Sequence, residues 1–199
     1  MSSTADVHQR SRRKVVAGHF VSLDGVAEAP DRFLTTWDDE TDASGVELIS
    51  TQDAVVLGRR SYDEWAPFWP TSDIEPFASF INRVPKHVAT STPLDRAWEG
   101  SQVIEGDLVA FVRHLQAQPG GDIGVHASLS VTRALLAADV VDELRLVIVP
   151  TVAGSGRRLF DGAPSRQLET IRSSVSPSGH LLVHARVVHD GPPGPVGTP

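Results

Sequence analysis

Short apolar runs and amphipathic stretches take turns along the chain, and their periods predict alternating strands and helices. Lys14–Ser22 is mostly apolar and reads as a buried strand. In "ETDASGVELIS", Val46, Leu48 and Ile49 mark the end of a helix. Ala54–Leu57 is a second buried strand, and Lys86–Ser91 a short third one. Asp107–Gln116 is the cleanest helix: Leu108, Phe111, Val112 and Leu115 recur at i, i+3, i+4, i+7, and Asp107 can cap its start. "DIGV" (Asp122–Val125) follows Pro119-Gly120-Gly121 and reads as a strand. Ser128–Ala138 then reads as a helix with Val131, Leu135 and Ala138 on one face. Asp142–Pro150 is a long strand, and "RQLETIRSSV" and "HLLVHARVVH" form a hairpin across Ser176-Pro177-Ser178-Gly179. Helices between short apolar strands predict an α/β fold with a mostly parallel central sheet and an antiparallel C-terminal hairpin.

Composition narrows this to one domain. The 199 residues suffice for a single well-buried core, with 40% hydrophobic and 22% charged residues. The expected domain spans residues 13–190, between tails at 1–12 and 191–199 ("GPPGPVGTP" closes the chain) that are expected to lack regular structure. There is no cysteine, which excludes disulfides, thiolate metal sites and cysteine nucleophiles and fits a cytoplasmic location. The net charge of −7 argues against general nucleic-acid binding. No apolar run has the length to cross a membrane, and no secretory signal is evident. The eight histidines show no metal spacing.

Candidate chemistry gathers where predicted strands end. In "DAVVLGRRSY" (Asp53–Tyr62) a strand stops at Gly58 and presents Arg59, Arg60 and Ser61 at the start of a helix. Two readings stand. Guanidinium forks and helix-start amides suit a phosphate. Alternatively, the arginines solvate the helix start and pair with Asp63 or Glu64. At a second junction, "GGDIGVHASLSVTRALL", His126-Ala127-Ser128 forms the turn and Ser128 is a candidate N-cap. Two such junctions in one sheet suit a ligand with more than one phosphate, such as a dinucleotide, although no G-x-G-x-x-G or P-loop is present. Ala127 is expected to keep an ordinary negative φ. Asp24 in "SLDG" is a turn former or an aid to proton transfer. Asp38 and Asp39 start a helix or serve as the substrate acid. Gly154–Arg158 is a phosphate nest or a mobile surface loop, and Trp37, Trp65 and Trp69 are pocket walls or core.

The blocks "VSLDGVAEAPD", "VVLGRRSYDEW", "PKHVATSTPL" and "GGDIGVHASLSVTRALLAADVVDELRLVIVPTVAGSGRRLF" occur in one order. In that order the chain resembles the reductase domain found at the C-terminus of bifunctional riboflavin-biosynthesis deaminase-reductases, over residues 14–190. The resemblance implies a dihydrofolate-reductase-like three-layer α/β/α fold standing alone, with NADPH laid across the strand ends. Carried over by position, Gly58, Arg59, Arg60 and Ser61 would hold cofactor phosphates. Thr90, Ser91 and Thr92 would lie on the adenosine 2′-phosphate side. Gly124, His126, Ala127, Ser128 and Leu129 would form the turn against the pyrophosphate, and Ser22–Ala27 would border the nicotinamide. Alanine stands at 127 where the family has glycine. The implied activity is hydride transfer to a C=N or C=O carbon of a pterin- or aminopyrimidine-like heterocycle, as in 5-amino-6-(5-phosphoribosylamino)uracil reductase, by an oxidoreductase of the CH-NH or CH-OH class. Asp24, Asp38 and Asp39 are the candidate proton donors. The alternative is a nucleotide-binding module that keeps the fold without turnover. The resemblance and the apolar terminal strand together imply a homodimer.

Overall fold

The computed structural model describes residues 12–189. Its elements are β1 (Val15–Ser22), α1 (Asp39–Ser50), β2 (Gln52–Gly58), α2 (Arg59–Trp65), α3 (Phe77–Arg83), β3 (Lys86–Ala89), β4 (Ser101–Val103), α4 (Leu108–Gln116), β5 (Asp122–His126), α5 (Leu129–Ala137), β6 (Glu143–Val149), β7 (Leu168–Val175) and β8 (Leu181–Val187). All strands join one sheet of order β4-β3-β2-β5-β1-β6-β8-β7. The first six positions are parallel. The hairpin adds β8 antiparallel to β6, and then β7.

The central strands are buried on both faces, which is why they read as near-continuous apolar runs. Val15, Ala17, Ile123 and Val125 pack with Leu135 of α5 and Val112 of α4 on one side. Val55 and Leu57 pack with Tyr62, Ile81, Val88 and Trp98 on the other. Asp107 caps α4 by accepting the Ala110 amide at 2.8 Å.

Two points of the sequence reading need correction. The third strand ends at Ala89 rather than Ser91. The sequence pattern misses β4 and α3, which have three and seven residues. Within the tail expected over 1–12, Arg12 is described: its guanidinium pairs with Asp142 and donates to Gln116 at 3.2 Å. The rest of that tail, and the one at 191–199, lie outside the described residues. Among the described residues no helix is long and apolar enough to cross a membrane.

Lys86, His19 and His126 are among the polar groups buried inside this frame. Lys86 is fully buried, and its ammonium donates to the carbonyls of Ile81 (2.8 Å), Val84 (2.9 Å) and Asn82 (3.3 Å), closing the end of α3. The same ammonium lies 4.7 Å from the Trp98 ring centroid. His19 on β1 shares a hydrogen with Thr132 Oγ1 at 2.8 Å. Burial, and then the facing His126, lowers its pKa to about 3. His126 bonds Gln52 Oε1 at 2.8 Å and is lowered by burial to about 4.

Candidate functional site

β2 and β5 are neighbours, but the chain leaves them in opposite directions. From β2 it runs through α2 and α3 to β3; from β5 it runs through α5 to β6. Such a switch point opens a crevice beyond the carboxyl ends of the two strands, where open α/β sheets bind ligands. Gly58 and His126 end the strands at its floor.

A hydroxyl relay joins the two sides. The Gly58 amide donates to Ser128 Oγ at 2.9 Å, Ser128 donates to Ser61 Oγ at 2.9 Å, and Ser61 donates to the Ala127 carbonyl at 3.1 Å. Ser128 therefore occupies the N-cap position of α5 without capping it. Its hydroxyl is spent across the crevice, so the first-turn amides of α5 have no side-chain acceptor and are available to an anion.

The arginines at the rim combine both sequence readings. Arg59 holds Asp63 through Nε (2.8 Å), Thr92 Oγ1 and the Pro93 carbonyl through Nη1 (2.5 and 2.7 Å), and Asp95 through Nη2 (2.5 Å). Arg60 pairs with Glu64 at 3.0 Å and Glu28 at 2.8 Å. Glu28 also accepts from the Arg157 guanidinium (2.9 Å) and amide (3.1 Å), which straps the loop after β1 to both α2 and the 154–158 loop. That second loop is held by carboxylates of the chain itself: Asp24 takes the amides of Ala153 and Gly154, both at 2.9 Å.

At the outer end of the crevice a cavity of about 500 Å³ is lined by Ala89, Thr90, Ser91, Ile104, Gly106 and Leu108. Sequence reasoning reaches Thr90 and Ser91. It misses Ile104, Gly106 and Leu108, which β4 and the start of α4 bring there. Thr92 lies beside this cavity, its hydroxyl 3.2 Å from that of Thr90.

Several of the expected ligand residues place their side chains, or the space for one, in the frame. Gly124 lies inside the sheet, where any side chain would run into the Gln52 amide. His126 turns its ring away from the crevice, edge-on to Phe77 and Phe80. The Leu129 side chain belongs to the core. Ala27 gives its amide to the Arg157 carbonyl at 3.0 Å. Gly58, Arg59, Arg60, Ser61, Ala127 and Ser128 do line the switch point together.

Two of the three candidate acids are also committed. Asp24 accepts from Ser22 Oγ at 2.7 Å and from the two loop amides, which lower its pKa to about 2. Asp38 caps α1 through the Thr41 amide at 2.8 Å and accepts from Ser176 Oγ (2.6 Å) and the Ser178 amide (2.8 Å). These donors hold it ionised against the opposing effect of burial. Neither is a proton donor near neutral pH. Asp39 is exposed in the first turn of α1. Behind Asp38, the buried ring of His180 binds Thr36 Oγ1 at 3.1 Å and Thr41 Oγ1 at 3.0 Å, joining the β7–β8 turn to the start of α1. Trp37 is half exposed and packs on Phe20, while Trp65 and Trp69 join Phe77 in an aromatic cluster. Among the described residues no cluster of His, Asp and Glu could hold a metal.

The sequence profile of the RibD C-terminal domain matches residues 13–182. The chain belongs to this family. Solved structures place the RibD-type fold among close relatives in shape. A Shewanella sp. PV-4 protein named for riboflavin biosynthesis superposes with a TM-score of 0.73 at 20% identity, covering 88% of this chain and 99% of its own. A pyrimidine reductase-like protein of Corynebacterium diphtheriae gives 0.67 at 18% identity, covering 92% and 95%. The dihydrofolate reductase of Enterococcus faecalis, complexed with NADP(H), gives 0.53 at 18% identity, covering 87% and 94%. The fold is thus the dihydrofolate-reductase-like one.

One detail of this RibD-type domain overturns its sequence reading. Ala127 has φ +53°, in the left-handed region, not the ordinary negative φ. The chain must pass from β5 to α5 in two residues while His126 turns into the core and Ser128 is drawn to Gly58. An alanine there carries roughly 1–2 kcal/mol of strain. Ala127→Gly relieves it and gives back part in chain entropy, so a net gain of about 0.5–1 kcal/mol is expected in urea unfolding. Lower stability in the glycine variant would contradict the strained turn.

Proposed function

We propose that this RibD C-terminal domain is an NADPH-dependent reductase that delivers hydride to a C=N or C=O carbon of a pterin- or aminopyrimidine-like heterocycle. The observation that carries the reading is the switch-point crevice. It joins uncapped amides of α5 at its centre to the open cavity at its outer end, a layout suited to the pyrophosphate and adenine of a dinucleotide. The names of the neighbours, one pyrimidine reductase-like and one complexed with NADP(H), support the choice of ligands.

In this reading the bound dinucleotide supplies the hydride. The α5 amides and Arg60 hold its phosphates, the Ser61–Ser128 relay keeps the two walls at fixed separation, and the loop after β1 shields the reacting carbon from water. The accompanying proton comes from a water molecule, because Asp24 and Asp38 are held ionised. That loss of two donors is what favours the second reading, a nucleotide-binding module without turnover.

Calorimetric titration with NADPH, followed by a screen of pteridine and aminopyrimidine oxidants for loss of dihydronicotinamide absorbance, separates the two. Micromolar binding with turnover is expected, and Arg60→Ala should weaken NADPH binding about tenfold. Binding without reduction of any oxidant would establish the second reading, and no binding would overturn both.

A further inference from the structure

We propose that Asp95 sets how strongly this chain discriminates between dinucleotides with and without a 2′-phosphate, by occupying Arg59; the inference rests on the dinucleotide reading above. A guanidinium has five N–H donors. In Arg59 the Nε donor is taken by Asp63, both Nη1 donors by Thr92 Oγ1 and the Pro93 carbonyl, and one Nη2 donor by Asp95. One donor is left. The charges follow the same pattern, one cation against two carboxylates.

The two carboxylates differ in kind. Asp63 lies one turn along α2 from Arg59 and belongs to the helix that carries it. Asp95 comes from the loop after β3, the same loop that supplies Thr90 and Ser91 to the cavity and Thr92 to Arg59. Its side chain is 84% exposed, against 26% for Arg59. It therefore holds the Nη2 end of the guanidinium from the loop that also lines the cavity, and its exposed carboxylate is open to an approaching ligand.

A ribose hydroxyl can donate a hydrogen bond to that carboxylate. A 2′-phosphate cannot; it meets the like charge of that carboxylate and finds a single Arg59 donor unless it displaces Asp95. The arginine that appears in the sequence as a phosphate clamp is thus held in check by a residue 36 positions away. NADPH remains a ligand, but its advantage over NADH is kept shallow.

The test measures dissociation constants for NADPH and NADH by fluorescence titration in the native chain, Asp95→Asn, Arg59→Ala and the double variant. The exposed asparagine leaves the fold intact, which circular dichroism checks. The NADH-to-NADPH ratio of dissociation constants is expected below about ten in the native chain and about tenfold higher in Asp95→Asn. In the Arg59→Ala background the same substitution should leave the ratio unchanged. An unchanged ratio in Asp95→Asn, or an equal rise without Arg59, overturns the proposal while leaving dinucleotide binding in place. Failure of the native chain and every variant to bind either dinucleotide overturns the underlying reading together with the proposal.

Discussion

Between pH 7 and pH 5 the folded chain is expected to lose about 4 kcal/mol of stability. His19 and His126 titrate near 3 and near 4 in the folded chain because both rings are buried, whereas an unfolded histidine titrates near 6.5. As pH falls through 6.5 the unfolded chain takes up two protons that the folded chain refuses. Stability is therefore complete above pH 6.5 and falls by about 1.4 kcal/mol per group for each pH unit below it, until the folded values are reached. Against a typical total of roughly 5–15 kcal/mol, this brings the domain close to unfolding near pH 5. Asp24 acts in the same direction only from about pH 4 down towards its lowered value of about 2, so the two windows are separable. Urea titrations at pH 7, 6 and 5 provide the measurement, and His126→Gln should remove about half of the slope. A midpoint that does not move over this range would mean that these rings accept protons in place.

Replacing Lys86 by methionine is expected to cost about 3 kcal/mol at pH 7. Methionine keeps the apolar stem and fills similar volume, so the loss reports on the ammonium alone. Three carbonyls at the end of α3 then lose a charged donor that no water replaces, because the site is fully buried. Burial lowers this amine to about 8, so it is still predominantly protonated at pH 7, where the comparison should be made. A cost below about 1 kcal/mol would show that the carbonyls find other partners.

The parts of the molecule legible in the sequence are those whose physics is local. β1, β2 and β5 are apolar throughout because both their faces are covered, and α4 announces itself by period and cap. The junctions after Gly58 and His126 are visible as strand ends followed by small or basic residues. What escapes depends on distant partners. Asp24 and Asp38 look like free acids until amides and hydroxyls more than 120 residues away saturate them. Glu28 has no visible role until folding brings Arg60 and Arg157 to it. The cavity is half hidden because β4 is only three residues long and largely exposed. The left-handed turn at Ala127 shows only through the resemblance, which has glycine there, since alanine itself is not a turn residue.

The contact of His180 with Thr36 and Thr41 also bears on the order in which the molecule is assembled. It spans 139 residues in the case of Thr41, so closing it costs more chain entropy than any neighbouring strand pairing. The buried strands β1, β2 and β5 can collapse before the β7–β8 turn exists, but the start of α1 stays unanchored until that turn arrives. Formation of the hairpin is thus the step that anchors the start of α1. A chain shortened from its C-terminal end would keep a recognisable core and lose the definition of a segment nearly the whole sequence away.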